Sequence, residues 1–340
     1  MRSLASAVSD YCRGLWQAWD AWLFAPTDPA TLCLIRVLAG SMLLYTHVIW
    51  SKDLGAFFGP DGFLPADLMD ASRDIRFFPE DVRVGVEPDN PRMLFSYFPW
   101  LGGGWLMWLV HVLSLVVFFC LTIGLFSRTM AVLAFVATVS YVARVTPGAY
   151  FGLDKVNCML AMYLMLGPCG ARYSVDRLFA MRRGRTEDPP PSQSAGLALR
   201  MIQLHMCVIY LFSGLGKLQG DMWWNGSATW FAVASTEYRS LDMTWLAYYL
   251  PLADFLTHST VFLELFYCCL VWNRWCRPVV VASAIGMHVF IAGAMGMITF
   301  GVAMIYGNLA FVPASWVRAV CDPIARRFQL ALVGERLEEG

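Results

Sequence analysis

The sequence predicts an all-α, polytopic integral membrane helical bundle: about eight transmembrane helices, with seven to nine possible, and an N-terminal amphipathic surface helix. Three observations lead there. Hydrophobic residues make up 58% of the 340 residues and charged residues only 15%, whereas soluble domains are roughly 45–50% apolar and about 25% charged. The mean hydropathy is +0.54, so the surplus apolar surface has to face lipid. The apolar residues also fall in long runs, separated by segments that carry the charges and many of the tryptophans.

Residues 1–28 interleave Arg2, Asp10, Arg13, Asp20 and Asp28 with apolar residues and carry Trp16, Trp19 and Trp22. That pattern fits a helix lying along the membrane surface and not a signal peptide. Runs of about 20 apolar residues, the length a spanning helix needs, lie near 30–50, 105–125, 129–147, 156–174, 197–218, 252–272 and 278–313. The last is too long for one crossing at about 1.5 Å per residue, and Gly293, Gly296 and Gly301 offer places to break it, giving two spans. Lysine and arginine mark cytoplasmic loops. They collect at 127–128, 171–196, 273–277 and in a tail with Arg318, Arg326 and Arg327, which puts both termini inside.

The outer segments are then 51–104, 148–155 and 219–251, and the first is aromatic enough to fold as short helices and turns. The expected division is a surface helix over 1–28, a transmembrane domain over 29–313 and a cytoplasmic amphipathic tail over 314–340. A linker over 181–196, with "TEDPPPSQS", reads as flexible. Lipid is the partner this composition demands, and the bacterial inner membrane the expected location. Lys plus Arg equals Asp plus Glu at 25 each, which argues against nucleic acid, since phosphate binding needs a basic surplus. Cys33, Cys120, Cys207, Cys268 and Cys269 sit within apolar runs and read as packing residues. No CxxC or Cys/His cluster suggests a metal.

Ionisable groups inside spans are costly and invite a partner or a task. Lys217 sits near the outer end of the fifth span, Glu264 and His288 near the middles of the sixth and seventh, and His205 and His111 in the fifth and second. Gln203, Tyr210 and Lys217 recur every seven residues, and Ser213 lies four before the lysine, so all four share one helical face. Gly214 and Gly216 beside that face let a neighbouring backbone or a flat ligand come close. Two readings of Lys217 stand: a snorkelling anchor, or a base in a partly dry pocket open to the outer leaflet. Glu264 and His288 could satisfy each other between adjacent spans. His205 and His111 read as packing histidines.

The stretch "YLFSGLGKLQGDMWWNG" over 210–226 resembles the signature of the vitamin K-dependent gamma-carboxylase family and its bacterial relatives, the horizontally transferred transmembrane (HTTM) domain proteins. The likeness extends to "LIRVLAGSMLLYTHVIWSKDLGAFFGPDGFLP", "LMLGPCGARYSVDRLF" and "GMHVFIAGAMGMITF", and covers about residues 30–313. It implies that Lys217 is the base that deprotonates the hydroquinone of vitamin K or menaquinone. The hydroquinone then reacts with oxygen to give a strong base that removes a proton from a glutamate side chain, and carbon dioxide adds there, a carbon–carbon lyase-type reaction. The resemblance places Tyr210, Ser213, Gly214, Phe300 and Glu264 at the quinone pocket and His288 and Asn157 among the catalytic groups. Two departures stand out. Cys158 follows Asn157 where the carboxylase has a histidine, and the chain ends at "FQLALVGERLEEG" without the family's luminal substrate domain.

Three function classes follow. The first is a quinone-dependent carboxylase-like or epoxidase-like enzyme acting on a peptide or protein. The alternative is a non-catalytic membrane protein for maturation or export of a peptide. A solute transporter is the third, and neither an inverted repeat nor a paired set of broken helices supports it.

Overall fold

The computed structural model describes residues 4–65, 95–144, 151–238 and 240–333. The principal helices are α1 (Leu4–Leu23), α2 (Ala30–Trp50), α3 (Trp105–Ile123), α4 (Ser127–Arg144), α5 (Gly152–Leu164), α6 (Gln193–Lys217), α7 (Leu250–Leu270), α8 (Arg277–Ala294), α9 (Ile298–Asn308) and α10 (Ala314–Val333). No strand occurs among the described residues, and the architecture is all-α as expected.

Local chemistry sets the ends. Asp28 Oδ1 accepts from the Ala30 amide at 2.8 Å where α2 begins. Ser192 does the same for Ala195 at the start of α6, as N-cap residues do. Pro251 and Pro278 sit in the first turns of α7 and α8, where a missing N–H costs nothing. The long apolar run at 278–313 breaks after Ala294, with Gly296 at φ +68°. α9 then returns against α8 so closely that a Cβ on Gly301 would lie 2.6 Å from the His288 carbonyl oxygen.

The core lies between α2, α5, α6 and α9, where Leu32, Ile35, Leu160, Ile202 and Met206 are buried. At its edge sits Arg36, fully buried on α2. Its guanidinium donates to the carbonyls of Leu121 and Thr122, the last turn of α3, and to that of Tyr173. A cation at a helix C-terminus meets the negative end of the helix dipole and the carbonyls that the helix leaves unpaired. Gly124, at φ +73°, ends α3 there, and a Cβ on it would lie 2.4 Å from Arg36 Nη1. Asp176 holds the next helix from the other side, accepting from the Phe126 and Ser127 amides at 2.8 and 2.7 Å.

Among the described residues, four helical stretches are long and apolar enough to cross a membrane: Ala30–Phe58, Trp105–Ile123, Gln193–Lys217 and Arg277–Ala294. The pair Ile298–Phe311 and Ala314–Phe328, bent by 114°, brings the number to at most five. The remaining bundle helices fall short for visible reasons. α5 has 13 residues, about 20 Å at ~1.5 Å per residue, and α7 carries Asp254, His258 and Glu264.

The 181–196 linker differs from its expected flexibility. Arg177 donates to the carbonyls of Arg185, Thr186 and Glu187. Asp188 lies 3.2 Å from Arg172 and 2.6 Å from Arg318 of α10, and Ser192 pairs with Thr27 through both backbone hydrogen bonds. The Arg172 guanidinium beside Asp188 holds that carboxyl below its ordinary value, helped by Arg318. Of the outer segments, residues 51–65 and 95–104 form short helices and turns around Trp50, Phe58, Phe98 and Tyr141, tied by Arg144 to the carbonyls of Gly59 and Leu64. Residues 66–94 and 148–150 of the expected outer segments, and 145–147 at the end of the expected third span, lie outside the described residues.

Two expected outcomes test this frame. Arg36→Met strands three carbonyls and is expected to cost about 3 kcal/mol or more, read as a fall in detergent melting temperature; an unchanged melt would remove Arg36 from that role. Asp188→Asn is expected to raise tryptic cleavage after Arg185 at neutral pH. Because the Asp188 carboxyl is held low, the docking it provides is present above the ordinary carboxylate value and is lost as pH falls through the lowered one. Hydrogen exchange across 185–192 should therefore rise only in acid.

Candidate functional site

Lys217 is neither a free anchor nor a lone base. Its Nζ lies 2.7 Å from Glu264 Oε2 on α7, donates to Ser213 Oγ at 2.8 Å one turn back on α6, and sits 5.1 Å from the ring centre of Trp223. The side chains of Lys217 and Glu264 are 20% and 7% exposed, so the pair is held at the edge of the bundle with the carboxylate inward. The helices reach each other because Gly214 has no side chain: a Cβ there would meet the Leu265 backbone nitrogen at 3.0 Å. The smallness of Gly214 therefore serves helix approach, as small residues do between membrane helices.

His288 takes a different partner from the one the sequence suggested. Glu264 pairs with Lys217, whereas His288 Nε2 lies 3.0 Å from the Tyr210 hydroxyl. Asn308 Nδ2 donates to the same hydroxyl at 2.9 Å, and the Tyr267 hydroxyl donates to Asn308 Oδ1 at 2.8 Å. The rings of Tyr210 and Tyr267 stack at 4.1 Å. Phe300 packs edge-on to His288 at 5.7 Å and lies where a Cβ on Gly152 would fall, 2.8 Å from its ring. The face shared by Gln203, Tyr210, Ser213 and Lys217 thus divides between neighbours. Its Lys217 end meets α7, while Gln203 donates to the Ala310 carbonyl and Tyr210 meets α8 and α9.

A cavity of about 1150 Å³ lies between α7 and α8, lined along α7 from Phe255 to Leu270 and along α8 from Cys276 to Met295, with Lys217, Glu264 and Trp223 in its wall. Its walls are mainly apolar, with Phe255, Leu263, Val280 and Phe290 among them, and Thr229, His258, Ser259, Thr260 and Ser283 add polar groups. Tyr210, His288, Phe300 and Asn157 are not among its lining residues. Asn157 is buried on α5 with its Oδ1 unpartnered. Of the other histidines, His205 lies against Tyr163 at 3.0 Å, His111 between Ser51 and Tyr141 and His47 is buried, whereas His258 lines the cavity. The ten cysteines are free, and no group of three metal-ligating side chains occurs among the described residues.

Asn308 and Tyr267 join the buried network but were not singled out in the sequence. The available signal was Asn308 itself, an amide within the apolar run "MIYGNLAF", whose burial demands partners for the same reason that a charge does. No family model, curated protein or solved structure matches the chain.

The pair makes a stability prediction. Lys217→Met alone strands a buried carboxylate and is expected to destabilise by about 3–5 kcal/mol, whereas Lys217→Met with Glu264→Leu removes both partners and is expected to be near neutral. Melting of the single and double variants measures the difference; additive losses would show that the two side chains do not act together.

Proposed function

We propose that this chain is a multi-pass protein of the bacterial inner membrane, of the gamma-carboxylase and HTTM type, that binds a reduced isoprenoid quinone in the α7/α8 groove and uses Lys217 as a base. The observation that carries the reading is a lysine–glutamate pair in the wall of a mainly apolar groove. The volume suits a small amphiphile, since ligand sites commonly run to about 300–1,000 Å³ with a few polar groups that fix orientation. Lys217, Glu264 and Trp223 would hold the polar head, and Phe255, Leu263 and Phe290 the tail. The hydroquinone, when bound, would supply reducing equivalents for the oxygen-dependent step that the resemblance implies.

The chain's own contribution is to handle the proton. With 2.7 Å between Nζ and the Glu264 carboxylate, the pair is net neutral with the proton on either partner. Transfer to the carboxylate therefore yields an amine lone pair without leaving a net charge in a dry site. Ser213 Oγ accepts one Nζ–H from a turn away and so limits rotation of the amine.

In this reading α2 to α9 are the eight crossings. α5 and α9 are short, but they pack inside the bundle, where neighbours and not lipid cover the backbone ends. Both termini are cytoplasmic, and α1 and α10 lie at that surface. A second reading, a non-catalytic protein that matures or exports a peptide, is favoured by one observation: neither His288 nor Asn157 lines the groove.

The test uses the double variant, which is expected to keep the fold. A photoreactive menaquinone analogue is expected to label α7 or α8 in the wild type. Lys217→Met with Glu264→Leu is expected to lower hydroquinone turnover by about 100-fold or more, the range of a lost general base. Unchanged labelling and turnover would overturn the reading. A peptide recovered with the protein, indifferent to quinone, would put the second reading in its place.

A further inference from the structure

A second cavity, of about 230 Å³, lies between the short helix Val175–Arg182, the linker at 186–188 and α10. It shares no lining residue with the α7/α8 groove, and its lining is mostly charged: Arg172, Arg177 and Arg326 stand there with Asp188 and Asp322.

The carboxylates are already engaged. Asp188 lies between Arg172 at 3.2 Å and Arg318 at 2.6 Å. Asp322 lies 3.2 Å from Arg318 and accepts from the Tyr173 hydroxyl at 2.7 Å. Asp28 meets the same two arginines at 3.5 and 3.2 Å. Three carboxylates thus share Arg172 and Arg318. The remaining arginines of the cavity have no acid partner among the described residues. Arg177 donates to the carbonyls of Arg185, Thr186 and Glu187, which are neutral dipoles and leave its charge uncompensated. Arg326 is exposed on α10 and makes no ion pair there. Four guanidinium groups against three carboxylates leave this corner net positive, and the surplus stands on the cavity wall.

α10 sets the height of the cavity. Trp316, Val320, Ile324 and Phe328 recur every four residues and are exposed. At about 100° per residue they fall on the side of the helix opposite Arg318, Asp322 and Arg326. A helix of this kind lies with its apolar face sunk at the boundary of headgroups and acyl chains, which brings its polar face level with the lipid phosphates.

We infer that this cavity is an anion site that takes a phosphate group between Arg177, Arg326 and Arg172. Guanidinium groups match phosphate oxygens two at a time, and basic pockets at the cytoplasmic side of membrane proteins hold phosphate headgroups. The space is below the range of about 300–1,000 Å³ usual for larger ligands and suits a compact anion, a glycerophosphate headgroup or free phosphate. The headgroup source rests on the surface position proposed for α10; the phosphate chemistry does not.

The test uses the purified full chain in detergent and two probes, inorganic phosphate followed by titration calorimetry and dioleoylphosphatidylglycerol followed by native mass spectrometry. One saturable site is expected for at least one probe. Arg326→Gln is expected to weaken it about tenfold or more, the loss of a charge-assisted contact, and Arg326→Lys, which keeps the charge but not the fork, by less. Arg327→Gln is the control, since Arg327 is exposed next to Arg326 and does not line the cavity; its binding should equal that of the wild type. Both positions are exposed, so neither change threatens the fold. Binding of the lipid alone would make a headgroup the ligand, and binding of inorganic phosphate a free anion. No saturable binding of either probe, or equal weakening by Arg326→Gln and Arg327→Gln, would overturn the inference.

Discussion

Lipid offers a helix no hydrogen bonds, and this requirement orders the bundle more than apolar burial does. Leucine against lipid is about as well placed as leucine against leucine, so apolar contact alone gives two membrane helices little reason to choose each other. The choice here is made by side chains that have no other outlet. Arg36 of α2 takes the open carbonyls at the end of α3. Lys217 of α6 takes Glu264 of α7, and Tyr210 of α6 takes His288 of α8 and Asn308 of α9. Each link joins a different pair of helices, and together they fix neighbours that composition leaves open.

What was legible in the sequence follows from the same point. The cost of a charge in lipid singled out Lys217, Glu264 and His288, because the penalty is a property of the residue and needs no fold to be felt. The break in the 278–313 run was legible too, since only glycine sits comfortably at the positive φ found at Gly296. Partner choice was not, because it depends on which helix lies beside which. Glu264 and His288 looked suited to each other by depth, yet α6 stands between the two assignments and supplies a separate partner to each. Asn308 was overlooked for want of a charge, although a buried amide needs partners as surely.

The linker shows the limit in the other direction. Proline and polar residues at 187–194 lack any apolar pattern, and a segment with no core-facing side reads as free. Its order comes from outside: Arg177, Arg172 and Arg318 bind its carbonyls and its carboxylate. Long-range ion pairs and backbone hydrogen bonds leave no periodicity in the segment they hold.

The close approach at Gly214 has a mechanical consequence. With α6 and α7 already at backbone contact, the groove cannot widen by moving that wall, and the side free to yield is α8. Adjacent residues of α8 face different ways: Met287 lines the groove, and His288 belongs to the buried network. α8 is thus the helix shared by the groove wall and the buried polar network.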